Sequence, residues 1–291
     1  MGANMRTSDE MISLILSVAE KDDRIRAVGM GGSRANPECP PDAFQDFDIT
    51  YFVDDVSPFW DNDRWIKENF GTPSLMQKPE SMHLISPDDN GTFVYLMLFP
   101  DGNRIDLCIK DVDFELFEFE SEPMIVLLDK DSRFEGWNEN LDRGKYWHIK
   151  EPTDEMFADC CNEFHWCMNN VAKGIARDEV NYAMKMLNHY VRDMLTLMLE
   201  WYVGAANDFN VSAGKEGKWF KHYLPPELYE SLLATYPTAE TEAMWNAAFE
   251  MLRLFETAAL FVAEKLNFIY DVMEKKGITD YMKKVRAGKI K

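Results

Sequence analysis

The sequence predicts an α+β fold in two parts: a mixed sheet with flanking helices over residues 1–135, then, past a linker at 136–149, an all-α helical bundle over 150–291. Three observations carry this. Up to about residue 130, short runs rich in β-branched and aromatic residues ("IRAVGM", "FDITYFV", "TFVYLMLF", "RIDLCIK", "PMIVLLD") are interleaved with amphipathic stretches. From about 131 to 152 the chain turns polar and punctuated, as in "EGWNENLDRGKYWHIKEP". From Thr153 onward the apolar residues recur at helical spacing.

Taken in order, Thr7 and Glu10 have the spacing of a capping box ahead of "MISLILSVAE", an amphipathic first helix. "IRAVGM" is the first strand, the glycine-serine segment "GGS" follows it, and "FDITYFV" is the second. Ser57-Pro58 supplies an N-cap and a first-turn proline for a helix through about Asn69. "PDGN" between "TFVYLMLF" and "RIDLCIK" predicts a hairpin. Helices are expected over 153–176, 178–203, 225–236 and 238–276, and the basic "MKKVRAGKIK" at the C-terminus as a solvated tail. No internal repeat or low-complexity tract interrupts this order.

At 291 residues, 46% of them hydrophobic, the chain can bury a core in each part and is not a disordered polymer. No apolar run approaches a membrane span, so no membrane partner is expected. The N-terminus lacks the pattern of a secretory signal, and Arg6 stands where an N-myristoylation signal has Ser or Thr. The five scattered cysteines fit reduced, mostly buried thiols, so the expected compartment is the cytoplasm. A net charge of −20 argues against a nucleic-acid partner and favours a small cationic ligand.

The chemistry concentrates in "MGGSRANPECPPDAFQDFDITYFVDD". Strand side chains alternate between faces, so Asp46 and Asp48 project to one side, about 7 Å apart. Two such carboxylates repel, and the pattern calls for a cation between them. In "RIDLCIK", Arg104, Asp106, Cys108 and Lys110 share one face and Ile105, Leu107 and Ile109 the other. Backbone N–H groups at Gly32 and Ser33, with the serine hydroxyl, suit a phosphate. Carboxylates at Asp46, Asp48 and Asp106 suit one or two Mg²⁺ ions in a displacement at phosphorus.

The order Gly-Ser, twelve residues, "DFD", then "RIDL" resembles the nucleotidyltransferase superfamily. At closer range "RIRAVGMGGSRAN", "FHWCMNNVAKGIARDEVNYAMKML", "VRDMLTLMLEWYVG" and "GKEGKWFKHYLPPELYESLLATY" resemble the aminoglycoside 6-adenylyltransferase family, from about Met5 to Lys276. One departure is Gly31, where the family pattern leads one to expect asparagine. The resemblance implies a nucleotidyltransferase domain followed by a helical substrate domain, with drug and ATP meeting in the cleft between them. It also implies ATP as co-substrate, Mg²⁺, and transfer of AMP to a hydroxyl of a cationic aminoglycoside, streptomycin being the expected acceptor. Gly32 and Ser33, with Arg34, are then expected on the triphosphate, and Asp46 and Asp48 on Mg²⁺. Asp106 is either a further metal ligand or the base that takes the hydroxyl proton. Other acceptors, such as a lincosamide or a protein hydroxyl, and a non-catalytic nucleotide-sensing role are the alternatives.

On the helix from Thr153, Phe157, Cys160, Phe164, Cys167, Val171 and Ile175 form an apolar stripe, and Asp159, Glu163, Trp166, Asn170 and Lys173 form a second, rotated from it. A solvated face accounts for the charges but poorly for Trp166. An indole flanked by Glu163 is a shelf for a guanidinium, which streptomycin carries twice, and Asp159 is a further candidate for binding the substrate. Lys173 and Lys218 are candidate phosphate contacts. Around Lys218, "AGKEGKW" is not a Walker A loop, since its glycine spacing is wrong. Cys160, Cys161, His165 and Cys167 lie on different helix faces and read as core, not as a zinc site. The sequence leaves the oligomeric state open.

Overall fold

A computed structural model describes residues 5–84, 91–112, 123–140 and 143–290. The chain divides into two compact units, Met1–Tyr146 and Trp147–Lys291.

The first unit is built on helix α1 (Ser8–Lys21), strand β1 (Ile25–Met30), the single-turn helix α2 (Gly32–Ala35), strand β2 (Phe47–Val53) and helix α3 (Asp63–Phe70). Strands β3 (Leu75–Gln77), β4 (Thr92–Leu98), β5 (Arg104–Asp111) and β6 (Ile125–Asp129) complete it, with single-turn helices α4 (Trp137–Asn140) and α5 (Arg143–Tyr146) after them. The described strands form one mixed sheet in the order β3-β4-β5-β2-β1-β6. Four of its pairings are antiparallel, and β2 with β5, at the centre, is parallel.

One face of this sheet is apolar. Phe47, Ile49 and Tyr51 of β2, Ile105, Leu107 and Ile109 of β5, and Phe93, Tyr95 and Met97 of β4 are buried in one cluster with Met11 and Ile15 of α1 and Trp65, Ile66 and Phe70 of α3. At roughly 1.5–3 kcal/mol for each large side chain buried, this period-two pattern fixes the register. Two tyrosines in the cluster keep their hydroxyls satisfied: Tyr51 donates to the Ile15 carbonyl at 2.6 Å, and Tyr95 donates to the Phe59 carbonyl while accepting from the Asn62 N–H. The capping box at Thr7 and Glu10 forms as its spacing predicts. In the hairpin, Gly102 adopts φ +89° and Phe99 N–H donates to Asn103 O.

The expected helix from Ser57 to Asn69 is broken. A short 3₁₀ turn, Ser57–Phe59, is followed by Asp61 at φ +52° and a fresh start capped by Asn62, whose side chain accepts from the Trp65 N–H. Strand β3, three residues at the sheet edge, has no counterpart in the sequence-based expectation.

The second unit packs α6 (Asp154–Ala176), α7 (Val180–Lys185), α8 (Arg192–Ala206), α9 (Phe220–Tyr223), α10 (Pro226–Ala234), α11 (Thr241–Leu266) and α12 (Val272–Arg286) around one core. A π-helical stretch, Met186–Val191, joins α7 to α8, so the expected helix at 178–203 is nearly continuous. The expected long helix at 238–276 is two helices. Asn267, left-handed at φ +59°, ends α11, and the Asp271 side chain caps α12. The first half of the basic segment expected as a solvated tail, residues 282–286, is the end of α12, because Ile278, Met282 and Val285 keep the stripe buried, while residues 287–290 beyond it are exposed. No helix among the described residues is long and apolar enough to cross a membrane.

Candidate functional site

The polar face of the central strand pair gathers the carboxylates. In the parallel β2/β5 ladder Asp48 stands directly opposite Asp106, and Asp46 lies one step before the start of β2, on the same face as Asp48. The apolar residues between them, Phe47, Ile49, Ile105 and Leu107, are fully buried on the opposite face. Burying those side chains therefore leaves the aspartates nowhere to point but outward.

A cation bridges Asp46 and Asp106, and it is Arg104. Its guanidinium donates through Nε to Asp106 Oδ1 at 2.8 Å and through NH2 to Asp106 Oδ2 at 2.6 Å, a two-pronged pair, while NH1 reaches Asp46 Oδ2 at 3.1 Å. The bond to Asp106 raises the Arg104 pKa further. Burial raises the Asp46 carboxyl above the usual carboxylate value, with Arg104 opposing the rise and Asp106 adding to it.

The glycine-serine turn packs onto this cluster. Gly31 N–H donates to the Asp48 carbonyl at 2.8 Å. Gly32 has φ +63°, and a Cβ there would lie 1.9 Å from Asp48 Oδ2, so only glycine fits between turn and carboxylate. Gly31 differs: a Cβ at that position meets nothing within 4 Å. The glycine standing where the family pattern leads one to expect asparagine is therefore not sterically required. Half-buried Ser33 lies in α2 and helps to line a cavity of about 230 Å³ with Met30, Arg34, Asn36, Cys39 and Gln45.

Arg34, expected on phosphate, is engaged in the loop itself. Its Nε donates to the Asp46 carbonyl at 2.9 Å, NH2 to the Gln45 carbonyl at 3.0 Å and NH1 to Ser8 Oγ at 3.2 Å, and its guanidinium lies 3.7 Å over the Phe47 ring. Burial lowers its pKa, and Asp46, Asp48 and Asp42 oppose that. It clamps the chain leading into β2 and so aims Asp46.

The donor chemistry suits Mg²⁺, since hard carboxylate oxygens from two paired strands face one side, and two of them already close on a positive charge. Among the described residues, no three acidic, histidine or cysteine side chains are gathered tightly enough to ligate one ion as they stand. The Arg104 guanidinium lies between Asp46 and Asp106 in that arrangement.

In the helical unit, the apolar stripe of α6 is buried as its spacing predicts, with Phe164 stacked on Phe255 at 3.8 Å. The second stripe faces out: Asp159 and Glu163 are exposed, Trp166 is 67% exposed, and Asn170 and Lys173 are half-buried. Glu163 accepts from the Cys167 thiol at 3.0 Å. Lys218 is exposed, its ammonium 5.3 Å from the centre of the Trp219 ring. Cys160, Cys161 and Cys167 are buried, and burial pushes the latter two thiols up to about 12. His165 is buried with Nδ1 3.4 Å from Glu274 and Nε2 3.4 Å from the Tyr270 hydroxyl, a satisfied core histidine.

Two groups escaped the sequence-based assignment of roles. Arg104 was placed on the Asp106 face without a role, although a cation two residues from an aspartate on one strand face is itself a signal. Glu200, half-buried on α8, has its carboxyl pushed up to about 7 by burial, with Glu216 adding to it. Nothing in the local pattern marks Glu200, because its burial comes from the folding of the helical unit.

A family model described as streptomycin adenylyltransferase matches residues 5–285. Over 279 residues the chain is 40% identical to an aminoglycoside 6-adenylyltransferase of Bacillus subtilis (strain 168), covering 95% of this chain and 97% of that one. It is 38% identical over 279 residues to a protein of the same name from Campylobacter jejuni, covering 96% and 95%. A crystal structure of an aminoglycoside 6-adenyltransferase from Bacillus subtilis aligns over 97% of this chain and 99% of that one, at 35% identity and a TM-score of 0.48.

Proposed function

The chain belongs to the streptomycin adenylyltransferase family, and from that premise we propose that it transfers AMP from ATP to a hydroxyl of streptomycin in a Mg²⁺-dependent reaction. It is a nucleotidyltransferase, and the coarser activity, adenylyl transfer to an aminoglycoside, rests on the relatives' shared name across nearly the whole chain. The observation that carries the finer reading is the in-register pair Asp48–Asp106, with Asp46 beside it and the Gly32 turn packed against Asp48.

In this reading the Gly32–Ser33 turn takes the triphosphate, and Asp46 and Asp48 hold the metal. Mg²⁺, when bound, neutralises charge developing on the departing pyrophosphate. Arg34 acts indirectly by fixing the Gln45 and Asp46 carbonyls. The acceptor oxygen attacks the α-phosphorus, the bond to the β-phosphate bridge oxygen breaks, and pyrophosphate leaves. Asp106 serves as metal ligand or as the base that receives the hydroxyl proton. Asp159, Glu163 and Trp166, all exposed on one stripe of α6, support a place for a guanidinium of the drug. Lys173 and Lys218 keep the proposed role of phosphate contacts.

The test is product identity. With ATP, Mg²⁺ and streptomycin the protein should release pyrophosphate in step with drug consumed. Formation of ADP in its place would make the chain a kinase and refute the proposal.

A further inference from the structure

Arg104 sits where the proposed metal site needs a cation, and this has a consequence for how the site loads. Its guanidinium donates two bonds to Asp106 and reaches Asp46 at 3.1 Å, so one side chain bridges two of the three carboxylates. The bridge is partly open to water: the side chains of Arg104, Asp46 and Asp106 are 43%, 34% and 20% exposed. Solvent on this scale weakens an ion pair enough for another cation to exchange with it. The other nearby guanidinium, Arg34, donates to backbone carbonyls, lies over Phe47 and is not free to swing.

We propose that Arg104 is the resident cation of the Asp46–Asp106 pair in the unloaded protein, that a divalent metal must displace it, and that metal and nucleotide therefore load cooperatively. The inference rests on the functional reading above. Its logic is charge balance. Three carboxylates against two guanidinium groups leave the cluster with one net negative charge, which a divalent metal alone would turn into one net positive charge. A metal entering alone adds two positive charges, breaks the Arg104 bridge and leaves that guanidinium beside the ion. A triphosphate arriving with the metal brings compensating negative charge and gives the released Arg104 an anionic partner, for which a planar fork is well suited. Metal binding without nucleotide is thereby held weak, and nucleotide binding is coupled to it reciprocally. In this role Arg104 is a positioning residue: it acts on Asp46 and Asp106 and through them on the metal.

The experiment is Mn²⁺ binding to the full chain, followed by the electron paramagnetic resonance signal of free Mn²⁺, with and without a non-hydrolysable ATP analogue. Wild-type protein should bind Mn²⁺ weakly alone and much more tightly with the analogue. Arg104→Gln should bind Mn²⁺ alone about tenfold more tightly than wild type, and the factor by which the analogue tightens Mn²⁺ should shrink correspondingly. A gain in affinity on removing a side chain is not what a damaged fold produces. Arg104→Lys, which keeps the charge but cannot fork across two carboxylates, should fall between the two and covers the case in which the glutamine variant does not fold. If both variants bind Mn²⁺ alone no better than wild type while the analogue still tightens wild-type binding, the inference is overturned and the metal site stands. If the wild type fails to bind Mn²⁺ even with the analogue, the metal reading and the inference fall together.

Discussion

Replacing Gly32 by alanine should cripple the site, while replacing its neighbour Gly31 by asparagine should not. Gly32 has φ +63°, which for an alanine costs roughly 1–2 kcal/mol. Its new Cβ would stand 1.9 Å from Asp48 Oδ2 and 2.6 Å from Asp48 Cγ, so the carboxylate must leave its rotamer, at roughly 0.5–1.5 kcal/mol more. The sum, about 1.5–3.5 kcal/mol, corresponds to a fall in thermal midpoint of roughly 3–14 °C for a unit of this size. Metal and nucleotide binding should suffer more than stability, because the displaced group is the carboxylate itself. At Gly31, φ is −104° and a Cβ touches nothing within 4 Å, while the N–H to Asp48 O is kept by any residue but proline. Gly31→Asn should leave the midpoint within about 2 °C of wild type, or raise it slightly by restricting the unfolded chain. Differential scanning calorimetry, paired with titration of Mn²⁺ in the presence of an ATP analogue, reads both effects. A Gly32→Ala protein with wild-type midpoint and wild-type binding would refute the packing of turn against carboxylate.

Arg34→Met should cost about 2 kcal/mol of stability, from charged hydrogen bonds to two carbonyls and the contact with Phe47. A raised KM for ATP with an unchanged melting point would instead mark Arg34 as a direct phosphate ligand. Trp166→Ala, at a 67% exposed position, should leave stability within about 0.5 kcal/mol and weaken streptomycin roughly 3- to 30-fold with ATP affinity intact, by calorimetry. Unchanged drug affinity would reduce Trp166 to helix cover. For Glu200, the folded carboxyl titrates at about 7, above its ordinary value, so the folded state holds the extra proton and stability falls as pH rises from the ordinary range through about 7. Glu200→Gln should therefore melt higher than wild type at pH 8 and alike at pH 5; identical midpoints at pH 8 would show that Glu200 ionises without strain.

Features that rest on one local period were legible in the sequence. The alternation of Phe47, Ile49 and Tyr51 with Asp48 and Thr50 gave both the strand and its polar face, and the α6 stripe from Phe157 to Ile175 gave the buried side of that helix. The cation expected between Asp46 and Asp48 is not what the structure shows: Arg104 bridges a different pair, Asp46 and Asp106. That Arg104 meets Asp46 depends on β5 lying parallel to β2, a non-local pairing with no local signal. The break at Asn62 was masked by the stronger start signal at Ser57-Pro58, whereas Asn267 followed by Asp271 carried a stop and a cap that an unbroken apolar pattern overrode. Arg34 illustrates a different limit: a basic residue next to a glycine-serine turn suits phosphate or backbone carbonyls equally, and only the fold of residues 36–46 decides.

The central claim, AMP transfer through the Asp46–Asp48–Asp106 face, is tested most directly by mass spectrometry of streptomycin after incubation with ATP and Mg²⁺, using wild-type protein and Asp48→Asn side by side. The wild type should convert the drug to a species heavier by one adenylyl group. A folded Asp48→Asn protein should leave it unmodified, since an amide offers no charge to hold the metal. Unmodified streptomycin with the wild type, or full adenylylation by Asp48→Asn, would contradict the account.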